Sequence, residues 1–177
     1  MNELDFIFRR RSIRKFTNQL VPESLIDQLL QAAMAAPTAV NLKPWAFIVV
    51  QEAKRLSLLR DAMMFGKMNA PCAIVVCGDL RSVKRIVADK FWVQDLSAAT
   101  ENILLAAPAL GLGAVWCGVH PIQRHIKLVS QAVELTPAVL PLAVVFVGYP
   151  DEDKPARTQY DAAKVHREIL GKEWTPG

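Results

Sequence analysis

The densest group of chemically capable side chains lies near the N-terminus, in the run Arg10-Arg11-Ser12-Ile13-Arg14-Lys15-Phe16. Guanidinium groups are planar, permanently charged and rich in donors, which suits them to phosphate, and serine adds a hydroxyl donor. Apart from this run and the preceding Arg9, the basic residues are dispersed along the chain. On composition alone a solvated basic loop is the favoured interpretation, and a local phosphate site is the alternative. The chain lacks the long basic stripe that is typical of nucleic-acid binders.

A second polar group occupies residues 36–45, where a predicted helix gives way to a predicted strand. Pro37 and Pro44 stiffen this loop, and Thr38 and Asn41 present polar side chains. An amide both donates and accepts hydrogen bonds, as recognition of a heterocycle edge requires. An ordinary helix–strand connection is the alternative interpretation.

The glycines at residues 111–116 approach the dinucleotide-binding pattern GxGxxG, but the third position is Trp116. The motif also follows a predicted helix and enters a predicted strand, which reverses the required order. A glycine that ends a helix, followed by a strand, explains both Gly111 and Gly113. We therefore predict no Rossmann site here.

Other side-chain chemistry is also not indicated. The histidines lack zinc-ligand spacing, no GxSxG elbow occurs, and the cysteines form no CxxC pair. We interpret the cysteines, which are odd in number, as small core residues of a reduced, cytoplasmic protein. If the chain is an enzyme, a cofactor carries the chemistry and no metal is expected. The histidines are His120, His125 and His166, and the cysteines are Cys72, Cys77 and Cys117.

The composition indicates one folded domain spanning residues 1–177. Hydrophobic residues make up 52% of the chain and charged residues 21%, which excludes a disordered protein, and the net charge is +4. The N-terminus has no apolar signal region, and the most apolar segments, residues 106–119 and 136–148, contain glycine or proline. We expect no membrane segment.

Apolar periodicity predicts a mixed α/β domain with a helix–sheet–helix core. Helices are predicted at residues 22–36, 53–62 and 92–110, and continuously apolar strands, typical of strands covered on both faces, at residues 46–50, 73–77 and 143–147. The later turns of the helix at 92–110 are almost wholly apolar, so a second subunit is expected to cover it. The polar tail from about residue 150 reads as a trailing arm.

In this order, four elements resemble the nitroreductase family of FMN-dependent enzymes. The first comprises Arg10, Arg11, Ser12, Arg14 and Phe16, and the second Pro37, Thr38, Asn41, Pro44 and Trp45. The third comprises residues 109–113 with Trp116 and Gly118, and the fourth Pro141 with residues 148–150, followed by a basic stretch at 154–157. Together they span nearly the entire chain.

The resemblance implies a homodimer with exchanged C-terminal arms and two FMN molecules at its interface. Arg10, Arg11, Ser12 and Arg14 would contact the phosphate, the ribityl chain and the N1/O2 edge of the flavin, and Arg157 would join the phosphate site. The partner subunit would contribute a group consisting of Pro37, Thr38, Ala39 and Asn41. The residues along the flavin ring would be Trp116, Cys117, Gly118 and Val119. The backbone N–H of Gly118 would lie near N5 of the ring.

The sequence departs from the family pattern at two positions, where Lys43 replaces the usual glutamine and Val119 replaces a glycine. These changes bear on substrate range and flavin potential. A polar residue at the pyrimidine edge of the flavin is expected before the second strand. Met63, Lys67 and Asn69 are its candidates.

The implied activity is NAD(P)H-dependent reduction of flat electrophiles such as nitroaromatics and quinones, by a ping-pong hydride mechanism without a catalytic side chain. Within the same fold, a dehalogenating or flavin-fragmenting enzyme is the runner-up. A flavin-binding protein without turnover is a third reading, and a nucleic-acid-binding role is a distant fourth that rests only on the basic run.

Overall fold

The computed structural model describes residues 3–64, 68–81 and 85–175. Their helices and strands follow the chain in the order α1 (Asp5–Arg9), α2 (Glu23–Met34), β1 (Trp45–Val50), α3 (Ala53–Ala62), β2 (Cys72–Asp79), α4 (Arg85–Ala109), β3 (Gly113–Gly118), α5 (Gln123–Ala132) and β4 (Val139–Gly148). Single 3₁₀ turns lie at Ala39–Asn41 and Ala162–Lys164.

The four strands form one antiparallel sheet in the order β1-β2-β4-β3. β2 pairs with β4 so that Cys72 lies opposite Val147, and β3 pairs with β4 so that Gly113 lies opposite Gly148. β3 is therefore an edge strand, whose outer side is free to pair with another segment of the chain.

Helices cover both faces of the sheet. Ile74 and Val145 pack with residues of α2 and α4, whereas Val75 and Phe146 pack with residues of α3 and α5. All four side chains are fully buried. Because both faces are covered, the strands need no alternation of apolar and polar residues. This confirms the predicted helix–sheet–helix sandwich.

β4 contains a bulge at its centre. Val76 pairs with Ala143 and Cys77 pairs with Pro141, so Leu142 is an extra residue on β4. A bulge accommodates proline inside a sheet because proline cannot donate to the ladder. The bulge lies level with the end of β3, which pairs Gly118 with Ala143.

Three helices were predicted with partly correct bounds. α3 has its predicted bounds, but α2 is shorter than residues 22–36 because Pro22 is extended, with φ −62° and ψ 145°. α4 begins at Arg85, ahead of the predicted Trp92. α5 was not predicted, although Ile126 and Leu128 pack against the core beside its fully buried residues, which are His125, Val129 and Ala132.

The end of α4 confirms the helix stop that was predicted at Gly111. Gly111 has φ +72°, and the N–H of Leu112 donates to the carbonyl of Ala107 at 2.8 Å, as in a Schellman motif. β3 then begins at Gly113. The order helix, glycine, strand is the reverse of a Rossmann βα unit, as expected.

The tail after Pro150 is mostly exposed, although it carries large apolar side chains. Ile169 is 68% exposed and Leu170 is 87% exposed. Among the described residues, the last hydrogen bond from the tail to the body is from the N–H of Arg157 to the carbonyl of Phe8, at 3.0 Å. None of the helices in the described part of the chain is long and apolar enough to cross a membrane.

Candidate functional site

A cavity of about 900 Å³ opens between the end of β3, the start of α5 and the segment that follows α3. A volume of this order matches pockets for cofactors and other small molecules, which are mainly apolar with a few placed polar groups. Its walls have that character. The lining residues are Arg14, Lys15, Met63, Met64, Met68, Val115, Trp116, Cys117, Gly118, Ile122 and His125.

Segment 10–16 reaches this cavity by running beside edge strand β3. The N–H of Ile13 donates to the carbonyl of Ala114 at 3.0 Å, and the Ile13 side chain is buried in the core. A Cβ on Gly113 would lie 2.8 Å from Ile13, so only glycine permits this approach. Since Ile13 points inward, the neighbouring Arg14 is exposed and lines the cavity.

The half-buried carboxylate of Glu152 fixes the backbone at Arg14. Oε1 of Glu152 accepts from the N–H of Arg14 at 2.6 Å, from the N–H of Lys15 at 3.3 Å and from Nζ of Lys154 at 2.9 Å. The hydrogen bond from Arg14 is the main reason why the pKa of Glu152 falls to about 2, with Lys154 adding to it. Glu152 was not among the predicted site residues. A lone glutamate in a charged tail gives no signal in the sequence.

The backbone that follows Gly118, a lining residue of the cavity, is held by hydrogen bonds to the bulge of β4. The carbonyl of Leu142 accepts from the N–H of Val119 at 2.9 Å and from the N–H of His120 at 3.0 Å. The backbone just after Gly118 is therefore fixed. Gly118 itself is exposed, and a Cβ there would meet nothing within 4 Å. Val119 is fully buried and its side chain packs in the core with α3 and α5.

The three cysteines are protonated thiols in this setting. Burial raises the pKa of Cys72 and of Cys77 to about 12. Burial also raises the pKa of Cys117 to about 11, and the nearby charge of Arg14 only partly opposes it. Cys72 and Cys77 lie in the core as predicted, but Cys117 is only half-buried and lines the cavity. A thiol with so high a pKa is a poor nucleophile at neutral pH.

The other predicted basic residues lie away from the cavity lining. Nε of Arg10 is 3.5 Å from Oε1 of Glu101, whose pKa is raised by burial and lowered to a smaller extent by Arg10. A guanidinium N–H of Arg11 donates to the carbonyl of Pro155. Arg11 also lines a second cavity of about 490 Å³.

Ser12 and Arg157 link the start of the tail, through their main chains, to segment 10–16 and to the preceding helix α1. The carbonyl of Ser12 accepts from Nζ of Lys154 at 2.7 Å, and the N–H of Arg157 donates to Phe8. The Arg157 side chain is exposed. The predicted phosphate ligands thus share one region, where segment 10–16 meets residues 150–157.

Loop 36–45 is held in an unusual backbone conformation by a buried acid. Oδ1 of Asp95, on α4, accepts from the N–H of Ala39 at 2.9 Å, and Oγ1 of Thr38 accepts from the N–H of Lys43 at 3.1 Å. Val40 and Lys43 have φ of 45° and 54°, a region that is costly for a β-branched residue.

The tip of loop 36–45 projects outward. Val40 is 75% exposed, and Pro37 and Asn41 are exposed as well. Among the described lining residues of the two cavities, none comes from this loop. Pro37 and Asn41 are thus exposed, whereas Thr38 and Ala39 are half-buried, and the role of these four residues at a partner's flavin stays a prediction.

The candidates for the pyrimidine edge of a flavin have different surroundings. Met63 is buried and lines the cavity. The amide of Asn69 accepts from the N–H of Phe16 at 3.0 Å and donates to the Phe16 carbonyl. Lys67 lies outside the described residues. His125, which was considered only as a metal ligand, is a further polar group in the wall.

The residues of the cavity fit a flavin. Arg14 and Lys15 supply positive charge at one edge, Gly118 leaves room beside the backbone, and His125 is a buried polar group whose Nδ1 has no partner in the described part of the chain. No group of three or more histidine, cysteine or acidic side chains that could hold a metal ion occurs among the described residues.

Comparison with known proteins identifies relatives over nearly the whole chain. The sequence model of the Nitroreductase family matches residues 7–65 and 64–149. A protein of Methanothermobacter thermautotrophicus, provisionally named NADH dehydrogenase/NAD(P)H nitroreductase, is 44% identical over 170 residues, covering 95% of this chain and 87% of the relative.

Solved structures share the same fold. A provisionally named NADH dehydrogenase/NAD(P)H nitroreductase of Parabacteroides distasonis superposes with a TM-score of 0.88 at 37% identity, covering 94% of this chain and 97% of the other. A provisionally named nitroreductase of Desulfovibrio desulfuricans, solved in complex with FMN, superposes with a TM-score of 0.80 at 30% identity, covering 99% of both chains.

Proposed function

The chain belongs to the nitroreductase family, and on that premise we propose that it is an FMN-dependent oxidoreductase that uses NADH or NADPH to reduce flat electrophilic acceptors. Nitroaromatic compounds and quinones are the acceptor classes. The relatives support the cofactor and the electron donor, since one is named an NAD(P)H nitroreductase and another is solved with FMN.

One observation carries the proposal for this chain. The cavity of about 900 Å³ joins Arg14, from the basic run near the N-terminus, to Trp116, Cys117 and Gly118 at the end of β3. These residues are far apart in sequence, and the family resemblance assigns all of them to the flavin ring. Their convergence on one cavity is what such a site requires.

FMN, when bound, supplies the chemistry of hydride acceptance and donation that no side chain of this site provides. Arg14 and Lys15 place positive charge at one edge of the cavity, where they stabilise negative charge on a bound ring. Glu152 holds Arg14 in place through its backbone N–H. The Cys117 thiol remains protonated at neutral pH because burial raises its pKa to about 11.

The walls favour stacking over selective hydrogen bonding. Met63, Met68 and Ile122 are apolar lining residues, and methionine adapts its shape to different partners. We therefore expect a broad range of acceptors. The electron donor and the acceptor would use the same exposed face in turn, which corresponds to ping-pong kinetics.

We place the phosphate end of FMN where segment 10–16 meets the start of the tail. Arg10, Arg11 and Ser12 belong to that segment, and the N–H of Arg157 donates to the carbonyl of Phe8 in α1, just before it. Lys154 adds a further positive charge beside Ser12. Phosphate binding by several arginines follows from their charge and their planar sets of donors.

The proposal includes a homodimer with exchanged C-terminal arms. Ile169, Leu170 and Tyr160 expose large apolar side chains on the tail, as do Phe6 and Ile7 on α1. Exposed apolar surface of this extent is typical of an interface. The outward tip of loop 36–45 would then contribute Pro37, Thr38, Ala39 and Asn41 to the flavin of the partner.

The absorbance spectrum of the purified protein tests the cofactor. Bands of oxidised flavin are expected, and chromatography after heat release should identify FMN. Oxidation of NADH and NADPH in the presence of nitrofurazone or menadione then tests turnover. A colourless protein that also fails to take up added FMN would refute the proposal.

A further inference from the structure

Loop 36–45 keeps a costly backbone conformation at three residues that are not glycine. Val40, Asn41 and Lys43 have φ of 45°, 57° and 54°. This left-handed region is costly for most residues other than glycine, above all for a β-branched one, and such residues persist only where the surroundings impose the conformation. The side chain of Val40 is 75% exposed, so its own packing does not impose it. The loop therefore needs an anchor elsewhere in the fold.

Asp95 of α4 supplies an anchor beneath the loop. Asp95 is only 6% exposed, and its Oδ1 accepts from the backbone N–H of Ala39 at 2.9 Å, directly before Val40. In the described part of the chain this is the only hydrogen bond of the Asp95 side chain, and Oδ2 is buried without a partner. A buried carboxylate that is only half satisfied costs free energy. Holding the loop is the role that accounts for it.

A second hydrogen bond closes the loop on itself. Oγ1 of Thr38 accepts from the N–H of Lys43 at 3.1 Å, so the residues between them move as a unit. Asp95 attaches that unit to α4 through Ala39. Since α4 is also the helix that a second subunit is expected to cover, the bond fixes the loop beside the expected dimer interface.

We propose that Asp95 is a positioning residue that holds loop 36–45 in the conformation in which it reaches the flavin of the partner subunit. The inference rests on the proposed function, in which this loop contributes to that flavin. Asp95 contacts neither flavin nor substrate, and it acts through the N–H of Ala39. It therefore serves a site in the other subunit, whereas Arg14 serves the cavity of its own chain.

Two substitutions of similar size test the hydrogen bond. Asp95→Leu removes the acceptor, whereas Asp95→Asn keeps an oxygen that can accept from the N–H of Ala39. Each apoprotein is titrated with FMN, and quenching of flavin fluorescence gives the Kd. Asp95→Leu should raise the Kd about tenfold, and Asp95→Asn should recover most of the affinity. Glu23→Leu, an exposed acidic position on α2, is the control and should bind like the wild type.

Mixed dimers show which site the loop serves. Two differently tagged chains are co-expressed and purified on both tags, with Asp95→Leu and Arg14→Ala placed either on different chains or on the same chain beside a wild-type partner. If the loop serves the partner's flavin, substitutions on different chains fall at one site and leave the other with the wild-type Kd. Substitutions on the same chain then damage both sites, so no site keeps that Kd.

The outcomes separate the inference from the proposed function. A wild type that binds no FMN refutes both. If the wild type binds FMN, the inference alone is overturned when Asp95→Leu binds like the wild type, when Asp95→Asn binds no better than Asp95→Leu, or when light scattering shows that Asp95→Leu no longer forms a dimer. An intact site found only in the same-chain mixed dimers would mean that the loop serves its own subunit. That result overturns the inference and leaves FMN as the cofactor.

Discussion

Oε1 of Glu152 lies 2.6 Å from the backbone nitrogen of Arg14, and the same oxygen accepts a hydrogen bond from Nζ of Lys154 at 2.9 Å. Lys154 also donates to the carbonyl of Ser12. The start of the tail thus holds segment 10–16 through two neighbouring side chains. Glu152 therefore holds the backbone of Arg14 without lining the cavity of about 900 Å³, although it lines the second cavity of about 490 Å³.

Replacing Glu152 with alanine should weaken FMN binding. The N–H groups of Arg14 and Lys15 lose a charged acceptor, and a hydrogen bond to a charged group contributes enough for an increase of about tenfold in the Kd for FMN. Fluorescence titration of the apoprotein measures this. Glu23→Ala, an exposed acidic position on α2, is the control and should bind like the wild type. Equal affinities for Glu152→Ala and the wild type would contradict the positioning role.

The same carboxylate makes stability dependent on acid pH. The pKa of Glu152 is lowered from 4.5 to about 2, mainly by the hydrogen bond from Arg14, so the ionised group stabilises the fold above pH 4.5. That contribution is lost as the pH falls from 4.5 to about 2. Urea denaturation should show the stability difference between wild type and Glu152→Gln shrinking over this interval. A difference that stays constant with pH would contradict the assignment.

Arg14 and Arg157 should differ in their effects on the flavin. Arg14→Ala should raise the Kd for FMN by about tenfold or more and also make the flavin harder to reduce, because positive charge is removed from the ring. Arg157→Ala should weaken binding alone, since its expected partner is the phosphate. Spectroscopic redox titration of both variants decides this, with the exposed Arg124→Ala as control. Equal shifts of the midpoint potential would contradict the division.

The exposed tail residues should be needed for the dimer. Ile169→Ser combined with Leu170→Ser changes two side chains that the isolated chain leaves in solvent, so a monomer would tolerate both. In a dimer with exchanged arms, this double substitution should lower the association constant of the dimer and its flavin content. Light scattering at decreasing concentration measures this. A double variant that remains a fully loaded dimer would contradict the arm exchange.

No single side chain should be indispensable for hydride transfer. His120 packs edge-on against Trp92 at 4.8 Å between ring centroids, and Cys117 is a thiol whose pKa burial raises to about 11. Loss of a general acid or base typically costs about 10²–10⁴-fold. Cys117→Ser and His120→Ala should therefore retain most of the rate of flavin reduction by NAD(P)H in stopped-flow experiments. A loss of that size with FMN still bound would contradict this.

Parallel double-reciprocal plots are expected for the wild type with NADH and menadione, because the two substrates share one face. Intersecting plots would mean that both occupy the site together. Steady-state kinetics at several fixed acceptor concentrations makes this comparison directly.

Much of the fold could be predicted because it follows from hydrophobic patterning. Continuous apolar runs mark β1, β2 and β4, and Gly111 marks the end of α4. The bounds of α2 and α4 were less accurate, since Pro22 suits a helix start as well as the position before it. α5 was missed although Ile126, Val129 and Val133 recur at helical spacing and pack against the core.

The site was predictable only in part, for a different reason. Arg14, Trp116, Cys117 and Gly118 were identified from local motifs, and they meet at one cavity. Glu152 acts across a long sequence separation, and no local pattern distinguishes it from a surface residue. Its tertiary placement gives it that role.

The bulge at Leu142 separates the path of the main chain beside the cavity from the identity of the side chains there. One carbonyl accepts from the N–H groups of both Val119 and His120, so that path depends on backbone bonds. The side chain of Val119 enters the core, whereas Trp116 and Cys117 of β3 line the cavity. Substitution of these two lining residues can therefore change the chemistry of the wall while the backbone bonds at the bulge keep its course, so that variation in the site needs no change of architecture.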